Sequence, residues 1–138
     1  MKKVVSSKKI IVNGTFDVLH PGHIRLLTYA KGLGDHLLVA IDSDSRVAEL
    51  KGPARPVHPY AVRKEMLLAL KPVDKVVMFS SADELENIIK DNNIDYIVKG
   101  SDHRNHYVEG SKYVKEVIWY DRYEEFSSTA TIERISNR

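Results

Sequence analysis

The sequence contains no cysteine, so disulfides and thiolate-bound metals are excluded. No apolar run is long enough to span a membrane. The basic start, Met1-Lys2-Lys3-Val4-Val5-Ser6-Ser7, lacks the long apolar core of a signal peptide, and a cytoplasmic protein is expected. Excess charge of one sign is also missing. Twenty-one lysines and arginines face 19 acids, a net charge of +2, with no stripe of basic and aromatic residues. Nucleic acid is therefore not an expected partner. Neither Gly-x-x-x-x-Gly-Lys-Ser/Thr nor Gly-x-Gly-x-x-Gly occurs, which disfavours a P-loop enzyme and an ordinary dinucleotide dehydrogenase.

What remains is a chain of 138 residues, 43% apolar and 29% charged, suited to one globular domain spanning 1–138 with a loose end at 1–8. Apolar runs at Lys9–Val12, His36–Ile41, Lys75–Phe79, Ile94–Val98 and Val114–Tyr120 read as five strands. Between them lie helical patterns. The first runs from Ile24 to Lys31, with Ile24, Leu27 and Ala30 inward and Gly32 and Gly34 ending it. The second opens at Pro59 and runs through Val62, Met66 and Leu70. The third covers Ala82–Asn92, with Leu85, Ile88 and Ile89 inward, and the last starts near Ser128 and carries Ile132 and Ile135. Asp42–His58 reads as a long polar loop. The alternation predicts an α/β fold: a Rossmann-like, doubly wound, five-stranded parallel sheet with helices on both faces. Segments 13–23, 42–58 and 99–110 all follow strands and should gather on the ligand-binding edge.

The stretch Gly14-Thr15-Phe16-Asp17-Val18-Leu19-His20-Pro21-Gly22-His23 joins the first strand to the first helix. Glycine lets a ligand approach the backbone. Pro21 suits a first helical position. The helix start attracts anions through its N–H groups and dipole, and imidazoles there add hydrogen-bond donors. These features point to a phosphate-handling site. The histidine spacing also suits a zinc site or plain polar caps.

Gly14-x-Phe16-Asp17-x-x-His20-x-Gly22-His23 resembles the signature of the cytidylyltransferase-like nucleotidyltransferases, and the likeness runs from about Ile11 to the C-terminus. Within that family, Asp42-Ser43-Asp44, Leu50-Lys51-Gly52-x-x-Arg55-Pro56-Val57 and Val98-Lys99-Gly100-x-Asp102 are most similar to the adenylyltransferases of ADP-heptose synthesis. The first motif, Arg63 and the terminal Ser-Thr stretch are also similar to glycerol-3-phosphate cytidylyltransferases. In that stretch, Ala130 stands where the family has a hydroxyl residue.

The resemblance implies magnesium-dependent attack by a sugar or polyol phosphate on the α-phosphorus of a nucleoside triphosphate. Pyrophosphate is released, and no protein nucleophile is needed. His20 and His23 would stabilise α-phosphate charge, and Lys51 would close over the triphosphate. Gly14, Thr15, Phe16, Gly22, Ser128 and Thr129 would line the nucleotide, with Phe16 mainly packing. Asp17 either orients a histidine, assists Mg2+ or bonds the helix entry. Asp102 meets ribose or Mg2+, or caps a turn. Arg55 and Arg63 would bind substrate phosphate. A homodimer is implied by the resemblance alone. ATP with a sugar 1-phosphate is favoured over CTP with a polyol phosphate. A non-catalytic nucleotide-binding module is the alternative of another class.

Overall fold

The first strand lies in the middle of the sheet. The computed structural model describes residues 7–121 and 128–136, without the side chains of 128–131. In chain order its elements are β1 (Lys9–Gly14), α1 (Pro21–Lys31), β2 (His36–Asp42), α2 (Asp44–Lys51), α3 (Tyr60–Leu68), β3 (Lys75–Phe79), α4 (Ala82–Asp91), β4 (Tyr96–Gly100), β5 (Glu116–Tyr120) and α5 (Ser128–Ser136). The sheet is parallel throughout, in the order β3-β2-β1-β4-β5. The strands run outward from β1 to β3, then restart with β4 on the other side of β1. That reversal between β1 and β4 makes a crevice at their carboxyl ends. The expected doubly wound fold is the one found.

Side chains alternate across the sheet and build two cores. Ile10, Val12, Leu37, Val39 and Ile41 pack with Leu27 and Ala30 of α1 and Leu67 of α3. Ile11, Leu38, Ala40 and Ile97 pack on the other face with Leu85 and Ile89 of α4. Burial on both faces explains why the central strands read as unbroken apolar runs.

Several local expectations are corrected. Residues 44–51 form α2, which starts at Ser43, whose side chain accepts from the Arg46 N–H at 3.3 Å. With Val47 its one buried residue, α2 shows no helical apolar pattern. On α3 the buried side chains are Arg63 and Leu67, while Met66 is exposed. Ile24 and Ile135 are exposed as well. Gly32 stops α1 in an ordinary right-handed conformation (φ −64°) rather than the left-handed one. Lys8, inside the expected loose end, is held in place: its C=O accepts from the Asp35 N–H at 2.9 Å. Residues 1–6 of the expected loose end lie outside the described residues.

The edge of the sheet away from the crevice is pinned by three aspartates. Asp35, Asp74 and Asp95 accept from the N–H of Lys8, Leu37 and Lys9 at 2.9, 2.8 and 2.8 Å. In return, their own amides donate to the C=O of the same three residues. The bond from Lys9 holds the Asp95 carboxyl below the usual carboxylate range, against partial burial, and the Lys115 ammonium adds to the lowering.

The crevice edge is pinned by buried polar side chains. Arg63 is 1% exposed. Its Nη1 donates to the C=O of Thr15 at 2.9 Å, its Nε to the C=O of His58 at 3.0 Å, and its Nη2 to Asp44 Oδ1 at 2.7 Å. Asp17, 2% exposed, accepts from the N–H groups of Val57 and His58 at 2.7 and 2.8 Å. Arg55 Nε stands 3.4 Å from Asp17 Oδ2, and Arg55 Nη2 is buried without a hydrogen-bond partner among the described residues. The β1–α1 turn and the segment before α3 are thereby tied into one unit.

Two outcomes are expected. A carboxyl with a lowered folded value contributes stability above the ordinary aspartate value of about 4, and loses it as pH falls through the lower one. Asp95→Asn should therefore flatten the fall in urea-unfolding stability on the acid side of pH 4. Arg63→Met strands two backbone carbonyls, while half-exposed Asp44 returns to water. It should cost about 2–4 kcal/mol by urea unfolding, and a loss under about 0.5 kcal/mol would contradict the clamp.

Candidate active site

At the end of β1 the chain turns sharply over the sheet. A Cβ on Gly14 would lie 3.0 Å from Phe16 Cε2, so the ring lies directly against the strand-end backbone. Phe16 has φ +50°, a left-handed conformation that costs a residue with a side chain about 1–3 kcal/mol. Burial of its ring and a tilted contact with His23, at 5.0 Å between centroids, offset that cost.

The start of α1 is capped by imidazoles where a serine and a glutamate commonly serve. His20 holds the N-cap position in extended conformation and accepts at Nδ1 from the Gly22 N–H at 3.1 Å. His23, at the third helical position, accepts at Nδ1 from the His20 N–H at 3.3 Å. The rings stack at 3.8 Å between centroids, 22° from parallel. An accepting Nδ1 carries no proton, so in each neutral ring the hydrogen-bond network assigns the proton to Nε2. Each ring thus carries an Nε2–H donor at a helix N-terminus.

Both histidines line an open pocket at the carboxyl ends of β1 and β4. Its floor is the reversal point of the sheet, Asn13 and Gly14 from β1 and Lys99 and Gly100 from β4. A Cβ on Gly100 would meet Asp102 Oδ1 at 2.6 Å, so glycine lets that carboxylate fold back over the strand end. Lys99 Nζ is 3.4 Å from Asn13 Oδ1. Burial pushes its ammonium below the usual lysine value, against the pull of Glu109, Asp42 and Asp102.

Of the residues singled out in the sequence, Gly14, Thr15, Phe16, His20, Gly22, His23 and Asp102 line this one pocket. Thr15 spends its hydroxyl proton on Asp42 Oδ2 at 3.0 Å, so its hydroxyl has no second proton for a phosphate. Asp17, Lys51, Arg55 and Arg63 are not among the lining residues. Asp17, Arg55 and Arg63 serve the clamp because a buried carboxylate and a buried guanidinium need charged or hydrogen-bonding partners. Lys51 is exposed at the end of α2. Ser128 opens α5 as expected, but the side chains of Ser128 and Thr129 lie outside the described residues.

Sequence reasoning passed over Asn13, Lys99, His103 and Tyr120, all of which line the pocket. The available signal was position, since each stands at or just beyond the carboxyl end of a strand. Among the described residues no group of three or more histidines and carboxylates forms a metal cluster, and no helix is long and apolar enough to cross a membrane.

The cytidylyltransferase-like family matches residues 11–134. The bifunctional protein HldE of Sodalis glossinidius is 47% identical over 107 residues, which cover 78% of this chain and 22% of that protein. HldE of Helicobacter hepaticus is 41% identical over 135 residues, 98% of this chain and 28% of that one. This chain therefore spans about a quarter of the length of these relatives. The lipopolysaccharide core biosynthesis protein of Thermoplasma volcanium superimposes with a TM-score of 0.71 at 28% identity, over 86% of this chain and 100% of that one. With the stacked histidines at the helix start and the reversal-point pocket they line, this chain belongs to the cytidylyltransferase-like family of nucleotidyltransferases.

Proposed function

We propose that the chain transfers an adenylyl group from ATP to a sugar 1-phosphate, such as heptose 1-phosphate, and releases pyrophosphate. The stacked pair of His20 and His23 carries the reading, because it offers two Nε2–H donors beside the positive end of α1. The similarity to HldE proteins and to a lipopolysaccharide core biosynthesis protein supports the sugar phosphate. Likeness in the Leu50–Val57 and Val98–Asp102 segments supports ATP over CTP.

In the reaction an oxygen of the acceptor phosphate attacks the α-phosphorus. A new P–O bond forms as the bond to the α,β-bridging oxygen breaks, and that electron pair leaves with pyrophosphate. The acceptor is already an anion near neutral pH, so the protein supplies neither a nucleophile nor a base. His20 and His23 donate from Nε2 to α-phosphate oxygens as charge grows there, and the rigid cap fixes both donors beforehand.

Magnesium commonly keeps its waters and binds through one or two carboxylates plus substrate phosphates. Asp102, which lines the pocket, fits that role. Asp17 does not, because both its oxygens hold the 57–58 backbone. Bound there, the ion supplies neutralisation of phosphate charge. Lys51 acts by inward movement of the α2 end over the triphosphate. A homodimer in the cytoplasm belongs to the same reading.

The test separates capping from chemistry. Asparagine caps helices well and glutamine serves at the third position. His20→Asn and His23→Gln should therefore unfold within about 1 kcal/mol of the parent. Pyrophosphate release from ATP and heptose 1-phosphate should drop about 10²-fold or more in each. Near-normal turnover in both variants, or release from CTP with glycerol 3-phosphate and none from ATP, would replace this reading.

A further inference from the structure

With Lys51, Arg55 and Arg63 away from the pocket, Lys99 is the one lysine or arginine among the described residues that lines it. Lys99 forms no salt bridge with a described residue, and its hydrogen bond to Asn13 Oδ1 is long at 3.4 Å. A partly desolvated ammonium with so weak a partner is costly unless an anion joins it.

Its side of the sheet also matters. Ile11 and Ile97 belong to the core under α4, whereas α1 packs on the opposite face. Alternation puts Asn13 and Lys99 on the α4 side as well, across the sheet edge from the histidines. A displacement at phosphorus places the entering and leaving oxygens roughly in line on opposite sides. A pocket with donors on one side of the edge and a lysine on the other suits a phosphoryl group held between two charged neighbours.

We propose that Lys99 is the phosphate-binding cation of this pocket, holding an oxyanion of one of the two phosphorylated substrates across the sheet edge from His20 and His23. This rests on the nucleotidyl-transfer reading for its choice of ligand, but it can be tested by binding alone. The bland alternative is that Lys99 merely neutralises Asp42, Glu109 and Asp102, which lie near enough to act on its charge.

The experiment is calorimetry on the full chain with three probes: magnesium pyrophosphate, heptose 1-phosphate and adenosine. A charge-assisted hydrogen bond lost from a phosphate site should weaken binding about 10-fold or more. Lys99→Met should show that loss with pyrophosphate if the lysine holds the donor, or with heptose 1-phosphate if it holds the acceptor. Adenosine affinity should stay within about 2-fold, and Lys99→Arg should recover much of the loss because the positive charge returns. Circular dichroism melting of both variants checks that they fold. Should Lys99→Met unfold, Lys99→Gln and Lys99→Arg carry the same comparison. Affinities for both phosphate probes within about 2-fold of the parent in a folded, uncharged variant would overturn the proposal. If the parent chain releases no pyrophosphate from ATP while the variant still loses phosphate affinity, the lysine assignment stands and the transfer reading falls.

Discussion

Two hydrogen bonds from backbone amides to imidazole nitrogens set the chemistry of this molecule. Gly22 donates to His20 Nδ1 and His20 donates to His23 Nδ1. The bonds serve the helix, since two of its first N–H groups would otherwise lack partners. They also decide which ring nitrogen keeps its proton. A serine and a glutamate would cap α1 as well but would set a carboxylate, which can only accept, beside the pocket. An imidazole accepts the backbone bond at one nitrogen and keeps an N–H on the other, so in the proposed reading capping and phosphate binding fall on the same two side chains.

The rest of the fold keeps that cap in place. The β1–α1 turn carries a left-handed phenylalanine and would relax if left alone. It is held by Arg63 on the C=O of Thr15 and by Asp17 on the N–H groups of Val57 and His58. These bonds join residues 40 or more positions apart, so the turn's conformation depends on tertiary contacts. The aspartates at the far edge fix the ends of the strands, and the crevice between β1 and β4 opens where their order reverses.

The sheet, the site's main turn and the family were legible in the sequence because their signals are local. Apolar runs mark strands buried on both faces, and Gly14 to His23 carries its chemistry in consecutive residues. Other features depend on distant partners. Asp17 and Arg63 stand far apart in the sequence from the groups they bond, and only the fold brings each to its partners. The α2 helix has a single buried residue, Val47, so no periodicity announces it. Lys99 stands in the Val98-Lys99-Gly100-x-Asp102 stretch, where a single lysine carries no local signal of its surroundings. Its place at the reversal point becomes visible only when β4 is set beside β1.

The most direct test of this account is the tautomeric state of the two histidines, measured near neutral pH by long-range 1H–15N correlation spectroscopy on the 15N-labelled chain. The account predicts that both rings carry their proton on Nε2, with Nδ1 unprotonated, and that the Nε2–H resonances move when ATP and magnesium are added. A proton on Nδ1 of either ring would contradict it, because that ring could then neither accept the backbone bond nor stand as the donor on which the proposed catalysis depends.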